Sequence, residues 1–225
     1  MDYSDTIPIQ YQEGKVSFLG IDIAVDERVL IPRPETELLV SVVAKACREA
    51  AWKKPLVLEV GTGSGVIPLA LSKLVDSSNI VVSDISPEAL SVARENFKRN
   101  GYENKIQLVN SDMFSAFEGK CEGSFNCIVS NPPYVSKRDY ERLDAWVKAE
   151  PRIALYAGDE GMDYLDILIE KSTTFLTPGG FLAMEVGYDQ AQKVKDRLTL
   201  TGFRKVIGYR DFNDYERVIV GWAHG

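Results

Sequence analysis

The sequence predicts an open, mostly parallel α/β sheet with helices on both faces and an antiparallel strand pair at its C-terminal end. Two observations carry that expectation. Apolar runs of strand length alternate with amphipathic runs of helix length along the whole chain, the order that builds parallel sheets through crossover helices. Gly61, Asp84, Asp112 and Asn131 each follow such an apolar run. They therefore fall at the carboxyl ends of strands, where open α/β sheets bind ligands, and their convergence on one edge predicts a single site.

Taken in order, Val16 to Val25 reads as a hairpin. A helix follows from Pro34, with Glu35 and Glu37 in its first turn, where acids suit the helix dipole, and a stripe of Leu38, Leu39, Val42, Val43 and Ala46. Leu56 to Val60 is a strand that runs into Gly61-Thr62-Gly63-Ser64-Gly65 and then a helix from Val66; Pro68 falls in its first turn, where an N–H has no partner anyway. Asn79 to Asp84 is the next strand. Ser86 as N-cap and Pro87 as first residue start a helix that stops at Asn100-Gly101. Strands at Ile106–Val109 and Phe125–Ser130 come next, followed by a helix over Leu165–Phe175 and a turn at Thr177-Pro178-Gly179-Gly180. Phe181–Val186 is a strand, Gln190–Leu200 a helix, and Val206–Tyr209 with Arg217–Trp222 the closing antiparallel pair. No repeat, low-complexity tract or linker interrupts the chain. Residues 1–33 read as an N-terminal extension with the hairpin, and residues 34–225 as one α/β domain.

Composition bounds the function. At 225 residues and 45% hydrophobic, the chain can bury a full sheet with helices on both sides. There is no apolar run of about 18 residues and no basic-then-apolar leader, so a cytoplasmic protein without membrane contact is expected. Cys47, Cys121 and Cys127 match no zinc spacing and the single histidine is His224, so free thiols and no metal are expected. The net charge of −7 argues against direct nucleic-acid binding, which calls for a basic face. Lys137, Arg138, Arg142 and Lys148 are interspersed with Asp139, Glu141 and Asp144, the pattern of a solvated helix face.

Three motifs carry chemistry. Glycines after Val60 let backbone approach a ligand and present N–H groups of a helix N-terminus. A dinucleotide fingerprint wants glycine or alanine three positions past Gly63, and Val66 stands there, which favours a mononucleoside ligand. Asp84 lies about 20 residues beyond the glycines, the distance at which an acid meets ribose hydroxyls. Asn131-Pro132-Pro133-Tyr134 forms a cradle for a planar NH2 group. The amide oxygen of Asn131 and the carbonyl of Pro132 each accept an N–H, Tyr134 covers the flat face, and Pro133 restricts the backbone of Pro132. Alone, this last motif is also an ordinary proline turn after a strand.

In this order, the motifs resemble class I S-adenosylmethionine-dependent methyltransferases acting on amino or amide nitrogens. Val29-Leu30-Ile31-Pro32-Arg33-Pro34-Glu35-Thr36-Glu37-Leu38-Leu39-Val40 is more restrictive and resembles the signature of the PrmC/HemK family, the peptide chain release factor glutamine methyltransferases. Gln10-Tyr11, Phe18-Leu19-Gly20, Glu150-Pro151, Pro178-Gly179-Gly180, and Asp211 with Arg217-Val218 also fall where that family has similar residues, so the resemblance runs from about residue 10 to 222. It implies a Rossmann-like methyltransferase catalytic domain over residues 34–225 and S-adenosylmethionine as cofactor. The implied activity is methyl transfer to the side-chain amide of the glutamine in the Gly-Gly-Gln motif of a release factor. By the same resemblance, Gly61, Thr62, Gly63, Ser64 and Gly65 hold the methionine moiety with Glu59 bracing the loop, Asp84 binds the ribose, and Asp112 and Met113 meet adenine. Asn131, Pro132, Pro133 and Tyr134 hold the glutamine, with Asn131, Pro132 and Tyr134 serving catalysis and Asn131 also touching the cofactor. Thr36 and Arg33 sit over the methyl-donating end. The family's helical N-terminal domain is expected to be absent. Two other readings stay open at this point, an amino-methyltransferase of DNA or RNA bases and a cofactor-binding module without activity.

Overall fold

In the computed structural model, residues 7–50, 52–75 and 79–224 are described. A short helix α1 (Ile9–Glu13) leads into the hairpin β1 (Lys15–Phe18) and β2 (Ile21–Ala24), then α2 (Glu35–Glu49) and β3 (Leu56–Val60). The chain continues through α3 (Val66–Leu74), β4 (Asn79–Asp84), α4 (Pro87–Arg99), β5 (Ile106–Asn110) and β6 (Phe125–Ser130). Two short helices, α5 (Lys137–Arg142) and α6 (Ala145–Lys148), and a 3-10 turn at Arg152–Ala154 precede α7 (Asp163–Phe175). β7 (Leu176–Glu185), α8 (Ala191–Leu200), β8 (Lys205–Arg210) and β9 (Glu216–Trp222) complete it.

The main sheet has seven strands in the order β5-β4-β3-β6-β7-β9-β8. β3, β4, β5, β6 and β7 pair in parallel, and β9 is antiparallel to both β7 and β8. This is the predicted architecture. Because successive side chains in a strand point to opposite faces, adjacent residues feed two separate cores. Val57, Cys127, Val129, Phe181, Ala183, Val218 and Val220 pack with α2, α3 and α4 on one face. Leu58, Val60, Ile128, Leu182, Met184 and Ile219 pack with α7 and α8 on the other. The near-continuous apolar strand sequences follow from burial on both sides.

Local signals hold at several helix ends. Ser86 caps α4 by accepting from the Ala89 N–H at 3.1 Å, with Pro87 behind it. Gly101 takes a φ of +78° just past Asn100, as a left-handed helix stop requires. One expectation needs correction. Thr177-Pro178-Gly179-Gly180 does not separate a helix from a strand that begins at Phe181; β7 already starts at Leu176, which pairs with Phe125. The next pair is Cys127 with Phe181, so residues 177–180 form an excursion inside one strand rather than a turn before it. The short elements α1, α5 and α6 are too brief to write an apolar period, although the mixed charges between Lys137 and Lys148, expected on a solvated helix face, fall largely on α5 and α6.

The hairpin is tied to the sheet by a fully buried amide. Asn96 of α4 accepts from the Ala24 N–H at 2.7 Å and donates to the Ala24 carbonyl at 2.9 Å and the Ser64 carbonyl at 2.9 Å. One side chain thereby joins β2 to the glycine turn after β3. Gly65, the N-cap of α3, has a φ of +79°, and a Cβ there would lie 2.5 Å from Cε1 of Phe97. Left-handed backbone and lack of space both exclude a side chain. Gly65→Ala should lower unfolding free energy by about 2–4 kcal/mol through these two costs. Urea denaturation that shows an unchanged midpoint would refute this account of Gly65.

Candidate active site

The strand order sets the site. β3 sits between β4 and β6, so the chain leaves β3 toward one side of the sheet and later returns on the other, opening a crevice at the carboxyl ends of the two strands. A cavity occupies that crevice. Its wall includes Glu59, Gly61, Thr62, Gly63 and Ser64 from the end of β3, and Asp84 and Ile85 from β4. Asp112 and Met113 line it after β5, Asn131 and Pro133 after β6, and Thr36 from α2. Gly65, Pro132, Tyr134 and Arg33 are not on its wall. Most of the predicted residues thus line one cavity, and those four are their neighbours in the chain.

The glycine turn is held by its own backbone. The N–H groups of Gly61 and Thr62 both donate to the Ser83 carbonyl, at 2.8 and 2.9 Å, and that of Gly65 donates to the Thr62 carbonyl at 2.9 Å. The Gly63 N–H donates to Asp84 Oδ2 at 2.9 Å, and Ser86 N–H to Asp84 Oδ1 at 2.9 Å. The expectation of loop amides left free for a ligand therefore fails at these four positions, because closing so tight a turn uses them. Asp84 is not the cap of α4, as expected, but it joins the turn to the next strand. Burial pushes its carboxyl above the usual carboxylate range, with the Ser86 and Gly63 amides opposing.

Glu59 is fully buried beneath the turn. Its Oε2 accepts from the Thr62 hydroxyl, which is the expected brace, while its Oε1 has no hydrogen-bond partner among the described residues. Burial pushes this carboxyl up to about 8, the Thr62 bond opposing and the Asp84 charge adding. A buried carboxylate oxygen without a donor is costly and suits a cationic ligand group.

Over the cavity lie two segments, Arg28 to Pro32 and Pro151 to Ala154, each contributing to its wall. Buried Glu150 joins the first segment to the base of the second. It accepts from the Ile31 N–H at 2.9 Å and from the Arg33 guanidinium. Arg33 is thus engaged with Glu150.

At the Asn131 side the polar groups form a chain. Asn131 Nδ2 donates to the Thr36 hydroxyl oxygen at 3.1 Å, and Thr36 donates to Glu185 Oε2 at 2.8 Å. The Tyr134 hydroxyl donates to Glu185 Oε1 at 3.2 Å. Among the described residues, no group donates to Asn131 Oδ1. The backbone beyond is fixed by Gln190, whose amide donates to the Tyr134 carbonyl at 2.9 Å, and by the Val135 N–H to the Leu155 carbonyl at 2.9 Å. Burial pushes Glu185 up to about 7, opposed by bonds from Thr36 and Tyr134 and by the Arg217 charge. Arg217 is itself held by Asp211 at 3.2 Å.

Comparison with known proteins fits this geometry. The family model described as Methyltransferase small domain matches residues 34–149. Three proteins named release factor glutamine methyltransferase align over nearly the whole chain. That of Clostridium acetobutylicum is 36% identical, covering 97% of this chain and 76% of its own. The Escherichia coli protein is 37% identical with 96% and 76% coverage, and that of Koribacter versatilis 40% with 95% and 74%. This chain belongs to the release factor glutamine methyltransferase family. Among solved structures, a methyltransferase from Pyrococcus furiosus superposes with a TM-score of 0.66 at 20% identity, covering 92% of this chain and 91% of its own. A ribosomal protein L11 methylase from Lactobacillus delbrueckii gives 0.60 at 23% identity, with 89% and 83% coverage. These two share the fold.

Sequence reasoning did not single out Glu185 or Asn96, and noted Glu150 only within the family resemblance. An acid inside the apolar run Phe181-Leu182-Ala183-Met184-Glu185-Val186 is a signal that could have been used, since a buried strand does not accept a charge without a partner. Asn96, in the middle of a helix, carries no comparable mark.

The buried acids predict a pH dependence. Glu59 and Glu185 rise from an ordinary 4.5 to about 8 and about 7 on folding, so the folded protein holds more protons than the unfolded chain across that window. Stability without ligand should therefore fall as pH rises from about 4.5 to about 8. Urea midpoints measured across this range should decline, and Glu59→Gln should flatten the decline; a rising midpoint would show that these groups are not buried as described.

Proposed function

We propose that this protein transfers a methyl group from S-adenosylmethionine to the side-chain amide nitrogen of the glutamine in the Gly-Gly-Gln motif of peptide chain release factors. The observation that carries the reading is Asn131, whose Oδ1 has no donor among the described residues at the cavity of a chain belonging to this family. The residues on the wall fit the cofactor. The unpartnered Glu59 Oε1 suits the ammonium of its methionine part, Asp84 suits the ribose hydroxyls, and Ile85 and Met113 offer apolar surface for adenine.

The cofactor supplies an electrophilic methyl group on a positively charged sulfur, whose C–S bond breaks as the new N–C bond forms. The residues of this chain meet the other reactant. A carboxamide nitrogen is a weak nucleophile because its lone pair is delocalised into the carbonyl. Asn131 Oδ1 accepting one N–H, with the Pro132 carbonyl accepting the other, orients that nitrogen and favours the positive charge it gains on attack. Orientation of this kind supplies roughly 7–11 kcal/mol in the best cases. One N–H proton then leaves to solvent, so the products are a methylated amide, the demethylated cofactor and a proton. Pro133 stiffens the acceptor backbone, and Tyr134, anchored through its hydroxyl, braces the cradle from behind.

Two outcomes test the reading. Incubated with labelled cofactor, a whole release factor should take up label, and a variant with that glutamine changed to alanine should not. Asn131→Ala should nearly abolish the transfer while remaining folded. Equal label in both release factors, or label only in added DNA or RNA, would overturn the assignment. Asp84→Ala should weaken binding of S-adenosylhomocysteine by at least about 1.5 kcal/mol, the low end for bonds to a charged group. Unchanged affinity by calorimetry would remove Asp84 from the cofactor site.

A further inference from the structure

We infer that Glu185 is a positioning residue whose carboxylate, acting through the Thr36 hydroxyl, sets which way round the Asn131 side-chain amide is presented to the substrate. The inference rests on the proposed role of Asn131 as acceptor for the glutamine amide. Glu185 is not on the cavity wall; it is buried and bonds to Thr36, which is on that wall, and to Tyr134, which is not.

The argument is one of hydrogen-bond direction. A hydroxyl carries a single proton, and an ionised carboxylate can only accept. With Glu185 ionised, the Thr36 proton must point at Glu185 Oε2, 2.8 Å away. The Thr36 oxygen then faces Asn131 as an acceptor alone. Of the two ends of the Asn131 amide, only the NH2 end can satisfy it, at 3.1 Å, so Oδ1 is turned the other way. That is the orientation in which Asn131 accepts from a substrate NH2. Were Glu185 protonated on Oε2, it would donate to Thr36, and the Thr36 proton would be free to swing to Asn131. The amide would then turn over and set its NH2 against the substrate's NH2, donor against donor. The state of one buried proton is thereby converted into the presence or loss of an acceptor two residues along the chain of bonds.

The surroundings favour the acceptor state without making it absolute. The Tyr134 hydroxyl donates to Oε1 at 3.2 Å, and burial and the Glu185 charge hold its own proton in place by raising its pKa. Arg217, from β9, lies close enough to favour the ionised form, while Glu35 of α2 opposes it. Burial is the largest influence and raises the carboxyl to about 7, so both states are accessible near neutrality.

The test is single-turnover methyl transfer at saturating cofactor, with a whole release factor as substrate. Wild-type rate should rise with pH between about 6 and 8 as Glu185 ionises. Glu185→Gln, which can donate from one end, should lower the rate at least about tenfold and lose that rise, while affinity for S-adenosylhomocysteine stays within about twofold. Thr36→Val should lose rate in the same way, and Thr36→Ser, which keeps the hydroxyl, should recover most of it. Asn131→Ala serves as the control on the underlying reading. If Asn131→Ala is inactive and Glu185→Gln keeps the wild-type rate, the inference falls and the acceptor role of Asn131 stands. If Asn131→Ala is itself active, both fall together. Should Glu185→Gln not fold by circular dichroism, the wild-type profile decides, and a rate flat across that pH range overturns the inference.

Discussion

A carboxylate removed from water must be met by donors, and three buried glutamates, Glu59, Glu150 and Glu185, impose that condition on this site. Each meets it differently. Glu185 takes a hydroxyl from Thr36, 149 positions earlier in the chain, and another from Tyr134. Glu150 takes the Ile31 N–H and the Arg33 guanidinium from more than a hundred positions away. Among the described residues, Glu59 takes only the nearby Thr62 hydroxyl and leaves one oxygen without a donor. The first ties α2 to β7, and the second ties the two segments over the cavity to each other. The third stays within the glycine turn.

The sheet order makes those closures converge. β3 and β6 are neighbours in parallel, so the turn after β3 and the Asn131 segment after β6 leave the sheet side by side. Ser130 at the end of β6 donates to the Val60 carbonyl at 2.7 Å, and Ser83 at the end of β4 donates to the Glu59 carbonyl at 3.2 Å. These hydroxyl bonds clamp three strand ends just before the chain turns into the site. The residues of the cavity wall after β3, β4 and β6 are therefore positioned from one rigid edge, which is what chemistry sensitive to small misplacements needs.

The antiparallel strand adds a charge that a purely parallel sheet would not. β9 enters between β7 and β8 with Val218 opposite Glu185, and Arg217, held by Asp211, bonds to the Val186 carbonyl at 3.4 Å. Its guanidinium favours an ionised Glu185 against burial. A strand of the closing antiparallel pair thus tunes a carboxylate in the centre of the molecule.

Local chemistry was legible in the sequence wherever neighbouring residues decide the outcome. Ser86-Pro87 and Asn100-Gly101 set the ends of α4, the glycines after Val60 set the turn, and the apolar strand runs called for a sheet covered on both faces. Gly61, Asp84, Asp112 and Asn131 could be gathered at one edge because they fall at strand ends, whereas Glu59, Thr62 and Ser64 entered through the family resemblance. Only the tertiary structure decided the rest. That Thr36 meets Glu185, that Asn96 joins β2 to the glycine turn, and that Thr177 to Gly180 loops out of a continuous β7 all depend on register between segments far apart in the chain. A side chain's partner across such a distance is chosen by which strand lies beside which and by what must be hydrogen-bonded once water is excluded. Neither condition exists before the sheet has formed.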